Sequence, residues 1–316
     1  MPTPVYQQGT APATSGDLMK WQFWLTRKGK SLQDEAPNRD YWNHIGLEGE
    51  APACDLWRRH SDRVNRSLLE RWLPASSGRV LKTDLYDEAL GEGLCAELAR
   101  LGNVVVGIDV STQVRASAQR RHPWLIAVTA DVRELPFADR VFDVIVSNST
   151  LDHFASESDI ASAIRELARV LLPGGRLVLT LDNPANPVLW MRSRLPGSWL
   201  RSLDLVPYYV GATLSKERLT SLLTEAKLDV LAETAILHCP RVFAIPATAW
   251  FSRRSKKLQL WFLRLLERFE RLERLGARYR TGHFVAAMAC KPIEAGTVKE
   301  TIAATCIESG AAGTKR

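Results

Sequence analysis

The 316-residue chain is 46% hydrophobic and carries 42 Lys and Arg against 35 Asp and Glu, a formal net charge of +7. That composition is ordinary for a soluble globular protein, the length admits two domains or one α/β domain with extra helices, and so mild a basic excess does not identify a nucleic-acid partner. Cys54, Cys95, Cys239, Cys290 and Cys306 stand singly, with no CxxC or zinc spacing, so reduced thiols are expected, with no disulfide framework and no metal.

Residues 1–16 are rich in Pro, Thr, Gln and Ala and are expected to form a disordered tail. They have neither a basic start nor an apolar signal core, and no stretch of the chain is long enough to cross a bilayer, so a cytoplasmic protein is expected. Residues 17–78 place Trp21, Phe23, Trp24, Tyr41, Trp42, Trp57 and Trp72 among charges, which suggests a helical N-terminal cap. Within 56–72, Val64, Leu68 and Leu69 fall at helical spacing; the helix either packs on a sheet or closes over a bound ligand with its aromatics as lining.

A first strand is expected over 79–84. Gly91-Glu92-Gly93 then opens a helical face of Leu94, Leu98 and Leu101, and glycines at such a junction let a ligand approach the backbone. Gly91 to Ala96 also satisfies the GxGxxG/A dinucleotide fingerprint, so a nicotinamide-binding alternative stays open, although residues 85–90 separate the glycines from the strand that should lead directly into them. The apolar run through Val104 ends at Asp109. It reads as a buried parallel strand that delivers a carboxylate to the sheet edge, to hold a ribose diol or to cap the helix over 111–121. A third strand over 124–130 ends at Asp131. A fourth over 142–146 leaves through Asn148-Ser149, after a Leu135-Pro136-Phe137 anchor.

A helix over 156–172 shows Ile160, Ala163, Ile164, Leu167 and Leu171 on one face, and Pro173-Gly174-Gly175 turns the chain into a fifth strand over 176–181. Residues 183–211 read as an insertion at the mouth of the sheet. A helix starting near Thr213 and Lys216-Glu217 runs to about 226, and strands are expected over 228–238 and 282–290. Between those strands, within a 240–281 insertion, 250–280 has Trp261, Phe262, Leu265, Leu266, Phe269 and Leu272 at helical spacing. Glu267 with Arg271 and Glu270 with Arg274 are i,i+4 pairs on its basic face. Such a helix packs on its own domain or lies on an anionic membrane. Residues 294–316 read as a flexible tail.

The segments GIDVS, DVRELPFADRVFDVIVSNSTLDHF and RVLLPGGRLVLTL resemble the class I S-adenosylmethionine (SAM) dependent methyltransferases, over about 79–182 with weaker traces to 292. The resemblance implies an α/β fold, a Rossmann-like, mostly parallel seven-stranded sheet with helices on both faces and an antiparallel last strand, in a domain over 79–293. It implies Asp109 on the SAM ribose, Val110 on adenine, Asp131 on the adenine amino group and the Val132 backbone at a ring nitrogen. Asn148 and Ser149 would lie by the methionine part. The family's first motif is altered here: Lys82 stands in the acid position, and Gly91 and Gly93 fall in register with the family's last glycines as though residues had been inserted, which leaves Asp84, Asp87 or Glu88 to meet the methionine ammonium.

Methyl transfer from a sulfonium is an in-line displacement that rests largely on positioning; where the acceptor must lose a proton, His153 lies nearest the expected methyl. His238, Tyr208 and Tyr209 are further candidates on later segments. The function expected is methyl transfer from SAM to oxygen or nitrogen of a small, lipophilic molecule, with peripheral membrane contact through 250–280 and no nucleic-acid partner. The alternatives are a SAM-fold binding protein without catalysis, an NAD(P)-binding protein, and a basic protein that binds a membrane or nucleic acid.

Overall fold

The computed structural model describes residues 39–48, 55–73, 78–194, 209 and 211–293. The expected tails over 1–16 and 294–316, with Trp21, Phe23, Trp24, Tyr208 and most of the second half of the 183–211 insertion, lie outside the described residues.

In chain order the elements are α1 (Arg39–Glu48), α2 (Asp55–Trp72), β1 (Gly78–Lys82), α3 (Tyr86–Leu90), α4 (Cys95–Leu101), β2 (Gly102–Asp109), α5 (Thr112–Arg121), β3 (Ile126–Thr129) and β4 (Phe142–Asn148). They continue with α6 (Glu157–Val170), β5 (Leu171–Asp182), α7 (Pro187–Arg194), α8 (Lys216–Glu225), β6 (Asp229–Ile236), α9 (Arg241–Ser252), α10 (Lys256–Phe269), α11 (Arg278–Thr281) and β7 (Phe284–Cys290). The seven strands lie in the order β3-β2-β1-β4-β5-β7-β6. β3 to β5 are mutually parallel, and β7 runs antiparallel to both β5 and β6. This is the expected α/β sheet.

The sheet separates two cores. Ile160, Ala163, Ile164 and Leu167 of α6 are fully buried with Leu81, Ile145 and Leu177 on one face, as their helical spacing requires. Leu68, Leu69 and Leu73 pack with Val80, Leu98 and Val146 on the other, so α2 belongs to the domain's own core. Hydroxyls set the helix starts: Ser111, Ser156 and Ser215 accept the amide hydrogens of Val114, Asp159 and Arg218.

Several boundaries differ from the sequence-based expectation. β1 stops at Lys82 rather than 84, because Thr83 and Asp84 turn into the cavity below. β3 is shortened to four residues. β4–β5 pairing begins at Leu171, jumps to Arg176 and leaves the Pro173-Gly174-Gly175 turn as a bulge between the paired residues. The single helix expected over 250–280 is broken into α10, a 3-10 turn (Glu270–Arg274) and α11, with α9 reaching into its first residues. Its acids turn to α2 and β6 instead of to i+4 partners: Glu267 pairs with Arg63, and Glu270 accepts the amide hydrogens of Leu237 and His238 at 3.1 Å each. A tertiary partner that fixes a carboxylate outweighs a solvated pair along one helix.

The short 3-10 turn Leu151–His153 is held from outside the sheet. The amide of Gly211 donates to the Asp152 carbonyl at 2.9 Å and that of Ala212 to the Phe154 carbonyl at 2.7 Å. A β-carbon on Gly211 would lie 2.1 Å from the Phe154 oxygen, so the contact admits only glycine. Gly211→Ala is expected to destabilise the fold by about 1–3 kcal/mol, the range for forcing atoms into a filled space, measured by urea denaturation. A change within 0.3 kcal/mol of zero would show that Gly211 and Ala212 are free to move aside.

Candidate active site

A cavity of about 330 Å³ opens at the carboxyl ends of β1, β2, β3 and β4. Each strand delivers residues to it: Thr83 and Asp84 after β1, Asp109 and Val110 at the end of β2, Asp131 and Val132 after β3, Asn148 and Ser149 at the end of β4. Asp87 and His153 also line it. Arg39 and Trp42 of α1, Trp57, Arg58, Ser61 and Asn65 of α2 and Arg241 of α9 line it as well.

Asp109 is buried, and its two oxygens take separate backbone donors, Leu85 N–H at 3.1 Å and Ser111 N–H at 2.7 Å. The carboxylate does not cap α5, since Ser111 does so. Each oxygen keeps a lone pair for the cavity. Burial, with the like charge of Asp84, pushes the carboxyl up to about 7. Asp131 is half exposed; its carboxylate is gripped by the Arg133 guanidinium at 2.7 Å, which outweighs its partial burial and holds it below the ordinary carboxylate range. Arg133 reaches Asp159 as well and stacks 4.8 Å over the Phe154 ring.

Ser149 adopts φ 46° and donates to a carboxylate oxygen of Asp152 at 2.8 Å. Burial pushes the Asp152 carboxyl up to about 6. The His153 ring packs 4.8 Å from Trp42, and its Nδ1 lies 3.3 Å from the Tyr209 carbonyl. The Tyr209 amide in turn donates to the Tyr41 hydroxyl at 2.7 Å, so Tyr209 ties α1 to the 3-10 turn. His153, Ser149 and Arg241 also border a small second cleft with Asp152, Asp182, Arg192 and Tyr209.

Glu88, Gly91 and Gly93 do not line the cavity. Lys82, 2% exposed, forms an ion pair with the fully buried Glu88 at 3.0 Å and donates to the Asp84 carbonyl. Burial alone would depress the lysine, but the Glu88, Asp84 and Asp87 carboxylates more than reverse it and keep the ammonium charged. The other oxygen of Glu88 accepts the Leu94 amide hydrogen at 3.0 Å. Gly93 has φ 49°, and a β-carbon there would lie 2.5 Å from the Glu88 carboxylate. The glycine turn therefore cradles a carboxylate of the chain itself, which removes the footing of the dinucleotide fingerprint. His238 is also away from the cavity, buried between Thr281 Oγ1 and the Ala235 carbonyl at 2.8 and 2.9 Å. The sequence-based expectation missed Arg58, Arg133 and Arg241; they stand in charged helix and loop stretches that look like solvated surface, and only Arg133, two residues past Asp131, gave a local signal.

Residues 87–179 match the "Methyltransferase domain" family. A protein of Mycobacterium tuberculosis named as an S-adenosylmethionine-dependent methyltransferase is 29% identical over 205 residues, 63% of this chain and 66% of that one. A demethylmenaquinone methyltransferase of Corynebacterium kroppenstedtii is 40% identical over 106 residues, 33% of this chain and 44% of that one. The chain thus spans just under two thirds, or less than half, of the length of these relatives. Among solved structures, a chain of the complex between the Haloferax volcanii Trm112 methyltransferase activator and a methyltransferase superposes with a TM-score of 0.55 at 19% identity. It covers 82% of this chain and 99% of that one, a likeness of fold. The matched segment and the fold are similar to those of the class I SAM-dependent methyltransferase family. The methyl donor of that family is S-adenosylmethionine.

Proposed function

We propose that the chain transfers the methyl group of SAM to an oxygen or nitrogen of a small, lipophilic acceptor, at or near an anionic membrane surface. The observation that carries this is the convergence of Asp109 and Val110, Asp131 and Val132, Asn148 and Ser149, and His153 on one cavity at the strand ends. The residues fit the cofactor's chemistry. Two lone pairs on Asp109 suit a ribose diol, Val110 and Val132 offer apolar contacts to a flat base, and Asp84 and Asp87 suit a cationic methionine end. Lys82 does not repel that end, because Glu88 neutralises it inside the protein.

When bound, SAM supplies an electrophilic methyl group on a positively charged sulfur. The chain's part is to hold the acceptor in line behind that methyl in a pocket that Trp42 and Trp57 keep poor in water. His153, on the rim beyond β4, takes a proton from an acceptor that must lose one, while the Tyr209 carbonyl orients its ring.

A lipophilic acceptor is supported by the relative named for demethylmenaquinone and by the α9–α10 hairpin. Phe243 is 76% exposed, and Trp250 and Trp261 are each about half exposed, beside the exposed Arg253, Arg254, Lys256 and Lys257. Arg254 stacks 4.2 Å over Trp250. Aromatic rings flanked by cations suit the boundary of an anionic bilayer. No helix among the described residues is long and apolar enough to cross a membrane.

The test is calorimetric titration with SAM, followed by transfer of labelled methyl into an organic-soluble product, with co-sedimentation on phosphatidylglycerol and phosphatidylcholine vesicles. Binding of one equivalent of SAM, label in the lipid phase and preference for the anionic vesicles are expected. Failure of the folded protein to bind SAM would overturn the enzyme. Binding without transfer to any acceptor class would favour a binding protein, which the Lys82 substitution in the family's acid position motivates. Equal sedimentation with both vesicles would remove the membrane role alone.

A further inference from the structure

Away from the cavity, three side chains from distant parts of the chain converge between α2, the end of β6 and the turn after α10. His60 and Cys239 are buried at 1% and 3% exposure, and the Glu270 side chain is 20% exposed. His60 Nε2 lies 3.5 Å from Cys239 Sγ and 3.5 Å from Glu270 Oε1, and the three ligand atoms lie within 4.8 Å of one another.

The separation between the imidazole nitrogen and the carboxylate is long for a hydrogen bond, which centres at about 2.9 Å for such a pair. It matches the edge of a coordination tetrahedron: bond lengths of about 2.0–2.1 Å to nitrogen, 2.3 Å to sulfur and 2.0–2.2 Å to oxygen put N and S about 3.5 Å apart, and N and O about 3.4 Å. We infer that His60, Cys239 and Glu270 form a mononuclear zinc site, with the fourth position open on the side where Glu270 meets solvent.

Charge supports the assignment. A thiolate and a carboxylate neutralise Zn²⁺ with a neutral imidazole, so the loaded cluster carries no net charge into a buried place; loading displaces the Cys239 thiol proton to the solvent. The carboxylate is already oriented, because the Leu237 and His238 amides hold both of its oxygens. A mixed N, S and O set also suits zinc better than magnesium or calcium, which take oxygen alone. His60 Nδ1 has no hydrogen-bond partner. The site therefore lacks the usual outer support of a metal-bound histidine, and its affinity should lie about 10- to 100-fold below that of a fully braced site. Cysteine spacing along the chain could not reveal it, since the ligands lie at positions 60, 239 and 270.

The test uses the full chain, stripped with a chelator and reloaded. Competition with a chromogenic chelator should show one equivalent of zinc bound. Cobalt loading should give a thiolate-to-metal charge-transfer band in the near ultraviolet. The band should vanish in Cys239→Ser and persist in Cys290→Ser, and zinc stoichiometry should fall in His60→Asn. If His60→Asn fails to fold, Cys239→Ser, a one-atom exchange, carries the test alone. A folded wild type that binds no stoichiometric zinc, or a band unchanged in Cys239→Ser, would overturn the site.

Discussion

Asp109→Asn is expected to weaken SAM binding about 10- to 150-fold, the loss of about 1.5–3 kcal/mol that accompanies removal of a charge-assisted hydrogen bond. The asparagine keeps the shape and one acceptor oxygen, so the Leu85 and Ser111 amides are not both abandoned and the fold should survive. A pH signature accompanies the loss. The free-enzyme carboxyl, pushed up to about 7 by burial and by Asp84, is charged above that pH and neutral below it. A ribose diol and a cationic ligand both favour the charged form. SAM affinity should therefore fall as pH drops through 7, by about tenfold between pH 8 and pH 6. Asp109→Asn should abolish that dependence. Calorimetry at pH 6, 7 and 8 decides it, and equal affinities across the series in the wild type would place Asp109 off the ribose.

Lys82→Met is expected to destabilise the protein by about 3–5 kcal/mol, because it leaves Glu88 charged and unpaired at a fully buried position. Asp62 and Asp87 compound the effect. Burial, and then repulsion from Glu88, already push the Asp62 carboxyl up to about 6; burial, and then repulsion from Asp62 and Glu88, raise Asp87 well above its ordinary value. Combining Lys82→Met with Glu88→Gln, which keeps the acceptor for the Leu94 amide, should restore most of the loss. Guanidinium denaturation measures both variants. A single variant within 1 kcal/mol of the wild type would show that the pair is not a stability determinant.

How far the site could be read from sequence depended on whether its signal was local. β2 was legible because a valine run and a terminal Asp stand within a few residues, and the structure keeps them as strand and strand-end carboxylate; the cap of α5 is Ser111 and not Asp109. Asp131, Asn148 and Ser149 were legible as exits of apolar strands, and all three reach the cavity. The first motif was not legible. Nothing in the order Lys82, Asp84, Asp87, Glu88 tells which acid turns inward, since that is settled by which one lies 3.0 Å from the lysine once α3 has folded. The acids of the basic insertion misled for the same reason. Glu267 and Glu270 have good partners four residues on, but α2 and the β6 end present better ones, and their arrival depends on the whole sheet.

The backbone clasp of Gly211 and Ala212 onto residues 152 and 154 bears on protein engineering. Asp152 and Phe154, the two neighbours of His153, are tied by backbone hydrogen bonds to Gly211 and Ala212. A graft across residues 209–211 therefore disturbs the His153 ring unless it keeps a glycine at 211 and holds the residue-209 carbonyl against His153 Nδ1.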